Sequence, residues 1–174
     1  SDSTAYNKWH GILHRCYSTK VHEKYPEYIG CIVSEEWKNF SNFRYWYEKN
    51  NYGGSNLNLD KDILYKGNKI YSPDTCCLVP GFINTLFTNR KANRGELPLG
   101  VYKEEKNGKT CYRAGMEVNG QSIKLGTFKT PEEAFQKYKE YKEQYIKDTA
   151  KRYKDKIPYS VYEAMMNWKV EITD

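Results

Sequence analysis

The chain of 174 residues carries a formal net charge of +6 and has a sequence pI near 8.9, which is typical of a protein with a nucleic-acid partner. Its length allows one or two small domains and excludes a single large core. No apolar run approaches the ~18 residues of a membrane helix and nothing resembles a signal peptide, so we expect a soluble, intracellular protein with no membrane partner.

Two helices with aromatic faces are predicted near the start of the chain. The run 5–17 repeats apolar side chains every three or four residues, at Tyr6, Trp9, Leu13, Cys16 and Tyr17. On that helix, His10 and His14 have a spacing that can clamp a metal, but without a third ligand nearby in sequence they are interpreted as solvated. The run 34–50 begins with Ser34 as N-cap and repeats aromatic residues at helical spacing.

The middle of the chain predicts a strand, a turn, a second strand and a helix. Apolar residues alternate over 57–63, a turn is expected at Gly67-Asn68, and the strand pattern resumes at Ile70. A helix over 73–87 is expected to follow, with a proline in its first turn. The polar stretch 88–98 contains glycine and proline and is interpreted as a linker.

Beyond the linker, three short strands joined by tight turns are predicted over 100–105, 110–118 and 121–128. Asn107-Gly108 and Asn119-Gly120 are strong signals for two-residue hairpin turns. Because side chains alternate along a strand, one face is expected to carry Val101, Tyr112, Ala114 and Met116. The other face, directed to solvent, is expected to carry Tyr102, Glu104, Arg113, Gly115, Glu117, Ser122 and Lys124.

A long helix over 130–156 is predicted to back this sheet. Thr130 is a suitable N-cap, and Glu133 completes a capping box with it. The buried stripe of the helix is expected at Ala134, Tyr138, Tyr141 and Tyr145, with Phe135 at its edge. A further short helix is predicted over 159–168.

The runs "RGELPLGVYK", "YRAGMEV" and "LGTFKTPEEAFQKY" resemble the plant ethylene-response-factor (Apetala-two type) DNA-binding domain, across about 95–150. The resemblance implies a double-stranded DNA partner, with the outer face of the sheet in the major groove. On that face the candidate DNA-binding residues are Tyr102, Arg113 and Lys124. On or near the first hairpin, the candidates for phosphate contacts are Lys103, Lys106 and Lys109. The plant face is rich in arginine and this one is not, so base specificity is not carried over.

The first half resembles phage-type HNH endonucleases, which often carry an accessory DNA-binding module of this kind. The resemblance rests on "RCY" (15–17), "YIGCIVSEEWKNFSNF" (28–43) and "LDKDILYKGNKIYSPDTC" (59–76). It implies a protein that works in the cytoplasm of the host of a phage or prophage.

Such ββα-metal nucleases need a general base, a divalent metal and a residue that orients the base. The resemblance places Asp60 at the metal-binding aspartate and Lys61 where the catalytic histidine is expected. Tyr71 and Thr75 stand where asparagine or histidine would complete the signature. Lysine is protonated at neutral pH and is a poor base, so Asp60, Lys61, Asp62 and Asn68 form an incomplete candidate catalytic set. The implied cofactor is Mg²⁺ or another divalent cation at Asp60.

Zinc is not expected. The five cysteines include no C-x-x-C pair, and they are more typical of free thiols than of disulfides in an intracellular chain. A zinc site from Cys16, Cys31 and Cys76 would lack the usual ligand pairing.

The expected fold class is therefore α+β: a degenerate ββα-metal unit with flanking helices over 1–87, a linker over 88–98, and a three-stranded antiparallel sheet on one helix, with C-terminal helices, over 99–174. Three functions stay open. The protein binds duplex DNA on a nuclease-like scaffold with impaired catalysis, or it is an active metal-dependent endonuclease, or it is a phage inhibitor that binds a host defence protein.

Overall fold

The computed structural model describes residues 2–53, 56–88, 95–118 and 120–174. They form two compact units, Ser1–Phe87 with Ile157–Ala164 and Thr88–Lys156 with Met165–Asp174. Each unit combines helices and strands, so the α+β class is confirmed. None of the helices in these described ranges is both long and apolar enough to cross a bilayer.

The first unit is mainly helical, with two small sheets. Its elements are α1 (Asp2–Tyr17), α2 (Thr19–Lys24), β1 (Ile32–Val33), α3 (Phe40–Asn50), β2 (Leu57–Asp60), β3 (Ile70–Tyr71), β4 (Cys77–Pro80) and α4 (Gly81–Leu86). Its aromatic core lies between α1 and α3, where Ile12, Trp37 and Phe43 are fully buried. The rings of Trp37 and Phe43 meet edge to face at 4.9 Å between centroids, an arrangement that favours aromatic packing.

The strand pairing of the first unit differs from the prediction. β2 pairs antiparallel with β4, whereas β3 pairs parallel with β1. The two strands predicted on either side of the Gly67-Asn68 turn are therefore present but do not pair with each other, and the helix expected over 73–87 begins only at Gly81. The physical reason is that Cys77, Leu78 and Val79 are all buried, and a continuous apolar run of this kind suits a strand covered on both faces. The order strand, strand, helix persists, but it is formed by β2, β4 and α4.

The helix predicted over 34–50 also begins later. Its N-cap is Asn39, whose Oδ1 accepts a hydrogen bond from the Ser41 backbone N–H at 2.9 Å. Ser34 instead closes a tighter turn, because its backbone oxygen accepts from the Trp37 N–H at 3.0 Å before a 3-10 helix at Glu36–Lys38. Both residues are good caps, but Ser34 precedes the short 3-10 helix that contains the buried Trp37, and the α-helix begins only at Phe40.

The second unit contains the predicted sheet and helix. β5 (Val101–Lys106), β6 (Lys109–Val118) and β7 (Gln121–Phe128) form an antiparallel sheet in chain order, and α5 (Pro131–Arg152) packs against all three strands. The capping box is present, since Thr130 Oγ1 accepts from the Glu133 N–H at 3.2 Å while the glutamate accepts in return. The last helix, α6, spans Tyr159–Asn167.

The buried stripe of α5 is rotated from its predicted position. Tyr141 and Tyr145 are only half-buried, and the buried residues are Ala134, Phe135, Tyr138, Lys142, Ile146, Thr149 and Ala150. Lys142 is 8% exposed. Its ammonium makes no hydrogen bond or ion pair with any residue in the described ranges, and burial lowers its pKa to about 8. A lysine therefore occupies a buried position of α5 that the predicted stripe did not include.

Candidate functional site

The loop over 60–69, hereafter the acidic loop, follows β2 and contains all four candidate catalytic residues. Asp60 is the last residue of β2, and its Oδ1 accepts backbone hydrogen bonds from Asp62 at 2.7 Å and Ile63 at 2.8 Å. Burial raises the pKa of Asp60, and these two donors partly offset that effect. The carboxylate therefore has a structural task, which is to hold the turn that leaves the strand.

Lys61 does not project into solvent. It is 8% exposed, and its Nζ donates to both carboxylate oxygens of Asp62 at 2.8 Å and to the backbone oxygen of Asn68 at 2.6 Å. The ring of Tyr71 lies beneath the same ammonium, with its centroid at 6.0 Å. A lysine held in this way is fully engaged as a cation, so it offers no lone pair with which to activate water.

Asn68 closes the acidic loop. Its Nδ2 donates to the backbone oxygens of Lys61 at 3.0 Å and Ile70 at 2.7 Å, while its Oδ1 accepts from the Ile70 N–H at 3.0 Å. The structure thus brings Asp60, Lys61, Asp62 and Asn68 together, as one hydrogen-bonded loop. The hydrogen bonds named here stay within the loop or join it to Ile70, the first residue of β3.

The two helper positions of the nuclease signature are likewise engaged within the fold. Tyr71 is 2% exposed and shares a side-chain hydrogen bond with Arg15. Burial raises its pKa well above the ordinary tyrosine value. Thr75 Oγ1 donates to the Ile70 backbone oxygen at 2.7 Å and lies 2.8 Å from Ser72 Oγ. The contact between Arg15 and Tyr71 was not predicted, because 56 positions of sequence separate the two residues.

The implied divalent metal does not fit the acidic loop as it is arranged. One oxygen of Asp60 already binds two N–H groups, and both oxygens of Asp62 bind the Lys61 ammonium. A divalent cation needs several free oxygen ligands, and here it would stand beside a fixed positive charge.

Burial disfavours the thiolate form at two of the three cysteines considered for zinc. Burial raises the pKa of Cys16 to about 11 and that of Cys76 to about 12, whereas zinc binds thiolates. His10 and His14 stack with ring centroids 6.2 Å apart on α1. Within the described ranges, no three or more histidine, cysteine or acidic side chains are grouped as metal ligands.

The second candidate site is the sheet surface of the second unit that faces away from α5, hereafter the outer face. The strand register aligns Tyr102, Arg113 and Thr127 in one row across all three strands. Neighbouring rows add Glu104 with Cys111, Gly115 with Lys124, and Glu117 with Ser122. On the opposite side Val101, Ala114 and Met116 are buried, as alternation predicted.

Arg113 lies at the centre of the outer face and is held flat against it. Its Nε donates to Glu104 Oε1 at 2.6 Å, and its guanidinium stands 4.4 Å from the centroid of the Tyr102 ring. A Cβ at position 115 would lie 2.7 Å from Arg113 Nη1, so Gly115 leaves the space that the guanidinium fills. The hydrogen bond from Arg113, followed by the nearby Lys124 charge, lowers the pKa of Glu104. These contacts hold the planar guanidinium of Arg113 in one orientation in the free protein.

The lysines assigned to DNA do not all share the outer face. Lys106 and Lys109 pair with each other beside the first hairpin turn and have the orientation of Arg113. Lys103 pairs with Tyr112, and this register places it on the opposite face, so the phosphate contact predicted for it would lie on the other side of the sheet. Sequence reasoning also missed Cys111 and Thr127. Thr127 shares the face because a bulge opposite Ala114 and Gly115 shifts the alternation of β7 by one residue.

Comparison of the chain with protein-family models, with curated protein sequences and with solved structures finds no match in any of the three.

Proposed function

We propose that the protein binds duplex DNA through the outer face of the β5–β7 sheet, on a phage-type scaffold that resembles an HNH nuclease and has lost its catalytic base. The observation that carries the proposal is the fixed guanidinium of Arg113 at the centre of an exposed sheet. Arginine is the side chain best suited to bidentate contacts with phosphates and guanine edges. β-sheet readers place strands in a DNA groove in this way.

Charge and exposure on the outer face support the same proposal. The described part of the face carries Lys106, Lys109, Arg113 and Lys124 against two glutamates, so it has a positive balance. Tyr102, beneath the guanidinium, is 49% exposed, and its ring offers contact area next to the charge. Lysines around a central arginine supply sequence-independent phosphate attraction, whereas the arginine can distinguish bases.

Fluorescence anisotropy with labelled duplexes of random and selected sequence tests the proposal. Arg113→Ala is expected to weaken binding about tenfold or more, and Lys124→Ala is expected to weaken all sequences alike and to reduce the salt dependence. Lys103→Ala is the matched control, because it removes one charge from the same hairpin on the opposite face. Equal losses in Arg113→Ala and Lys103→Ala, or binding without salt dependence, would refute the outer-face assignment.

The same preparation decides between the remaining functions. Supercoiled plasmid incubated with Mg²⁺, Mn²⁺ or EDTA is expected to remain intact, because Lys61 and Asp62 bind each other. Metal-dependent nicking that is lost in Asp60→Ala would instead establish an endonuclease. Failure to bind any duplex, together with specific capture of one host protein, would favour the inhibitor function.

A further inference from the structure

The acidic loop surrounds the Lys61 ammonium with oxygen atoms. Two come from the carboxylate of Asp62 and one from the backbone of Asn68, all within 2.6–2.8 Å of Nζ. Asp60 is close enough to interact electrostatically with both Lys61 and Asp62. A single positive charge is thus bound by one carboxylate and one carbonyl, with the Asp60 carboxylate nearby, and these are the ligand types that a hard cation prefers.

The backbone around the Lys61 ammonium is itself held in place by hydrogen bonds. Asn68 supplies one of the oxygens, and its side-chain amide grips the backbone at Lys61 and Ile70. The Lys61 side chain is 9% exposed, whereas its partner Asp62 retains 40%. The pair therefore lies at the edge of the core, with the lysine inside and the carboxylate toward solvent.

We propose that the Lys61 ammonium is a built-in counter-ion that takes the place of a divalent metal in the acidic loop, so that the loop keeps its shape at any metal concentration. The inference deepens the proposed function, because it rests on the loss of catalysis in the first unit. It is independent of where DNA binds. Removal of the ammonium leaves Asp60, Asp62 and the Asn68 carbonyl without a neutralising charge, and the loop then requires a cation from solution.

Thermal unfolding of the full-length chain in EDTA, Mg²⁺ or Mn²⁺ tests this proposal. The wild-type melting temperature is expected to be the same in all three. Lys61→Ala is expected to melt lower by at least about 5 °C in EDTA, because its removal leaves the half-buried Asp62 carboxylate and the Asn68 carbonyl without their shared donor. Millimolar Mn²⁺ is expected to recover at least about half of that loss by binding the folded state.

Two control variants define the result. Lys61→Ala combined with Asp62→Asn removes the carboxylate that would hold the ion and is expected to show no metal response. Lys20→Ala changes an exposed lysine of α2 in the same unit and is expected to match the wild type in every buffer. A wild-type melting temperature that rises with Mn²⁺, or a folded Lys61→Ala that ignores every cation, would overturn the proposal.

Heteronuclear NMR of the lysine ammonium groups gives a readout that needs no variant. Three hydrogen bonds from a buried ammonium slow the exchange of its protons with water, so a distinct Lys61 Nζ signal is expected near pH 7 with and without EDTA. A Lys61 signal that exchanges as fast as those of the exposed lysines would refute the built-in counter-ion even if Lys61→Ala does not fold. Since neither measurement involves DNA, failure here leaves the outer-face proposal to its own test.

Discussion

Replacing Lys142 by methionine is expected to stabilise the second unit. The lysine lies on the buried face of α5, and burial alone lowers its pKa from the ordinary 10.5 to about 8. At roughly 1.4 kcal/mol for each tenfold change in proton affinity, this difference corresponds to a penalty of about 3 kcal/mol near neutral pH. Methionine is long, unbranched and uncharged, so it can fill the same space without that penalty.

The direction of the pH dependence follows from the lowered pKa. The folded state loses the Lys142 proton near pH 8, while the unfolded chain keeps it until about pH 10.5. The unfolded state therefore binds more protons between these values, and the wild-type free energy of unfolding rises with pH across this window. The difference between variant and wild type is expected to be full near pH 7 and to vanish towards pH 10.5. Tyrosines that titrate in the same window do so in both proteins, so their effect largely cancels.

Urea unfolding at a series of pH values measures this difference, and amide hydrogen exchange along β6 assigns it to the second unit. Lys137→Met is the matched control, since it removes the same charge from the exposed side of α5 and is expected to change stability by less than about 0.5 kcal/mol. A Lys142→Met protein no more stable than wild type at pH 7, or a difference that does not shrink as the pH rises, would refute the reasoning. Either result would mean that the ammonium reaches water by extending its flexible chain.

Two further predictions concern the glycine before β5 and the thiols. Gly100→Ala is expected to lower the free energy of unfolding by more than about 3 kcal/mol, because φ is 74° and the added Cβ would lie 2.0 Å from a ring carbon of Tyr138; Gly108→Ala, with φ 72° and open space, is expected to cost only about 1 kcal/mol. Alkylation at mild alkaline pH, followed by mass spectrometry, is expected to modify Cys111 first and the four buried cysteines only on unfolding. Rapid native modification of Cys16 or Cys76 would contradict the burial that raises their pKa values.

The first unit shows where sequence reasoning reached its limit. Asp60, Lys61, Asp62 and Asn68 could be named as one group because they lie in a single short loop. The hydrogen bonds that join them could not be predicted, because these bonds depend on how the loop brings Asn68 back to Lys61. The pairing of β2 with β4 likewise depends on burial of β4 by the rest of the unit, and the apolar run of β4 fits a helix or a strand equally well until its neighbours are known.

In the second unit, by contrast, the sequence by itself determined nearly all of the fold. The Asn107-Gly108 turn, period-two alternation and the capping box at Thr130 and Glu133 are local signals, and each specifies its element through residues only a few positions apart. The turn predicted at Asn119-Gly120 includes Asn119, which lies outside the described residues. Tertiary structure alone decided three features: the bulge that moves Thr127 to the outer face, the contacts of Arg113 with Glu104 and Tyr102, and the burial of Lys142. The physical reason is that strand register, side-chain contacts across the sheet and burial depend on contacts between strands and helices distant in sequence. A local sequence pattern contains no information on the energies of those contacts.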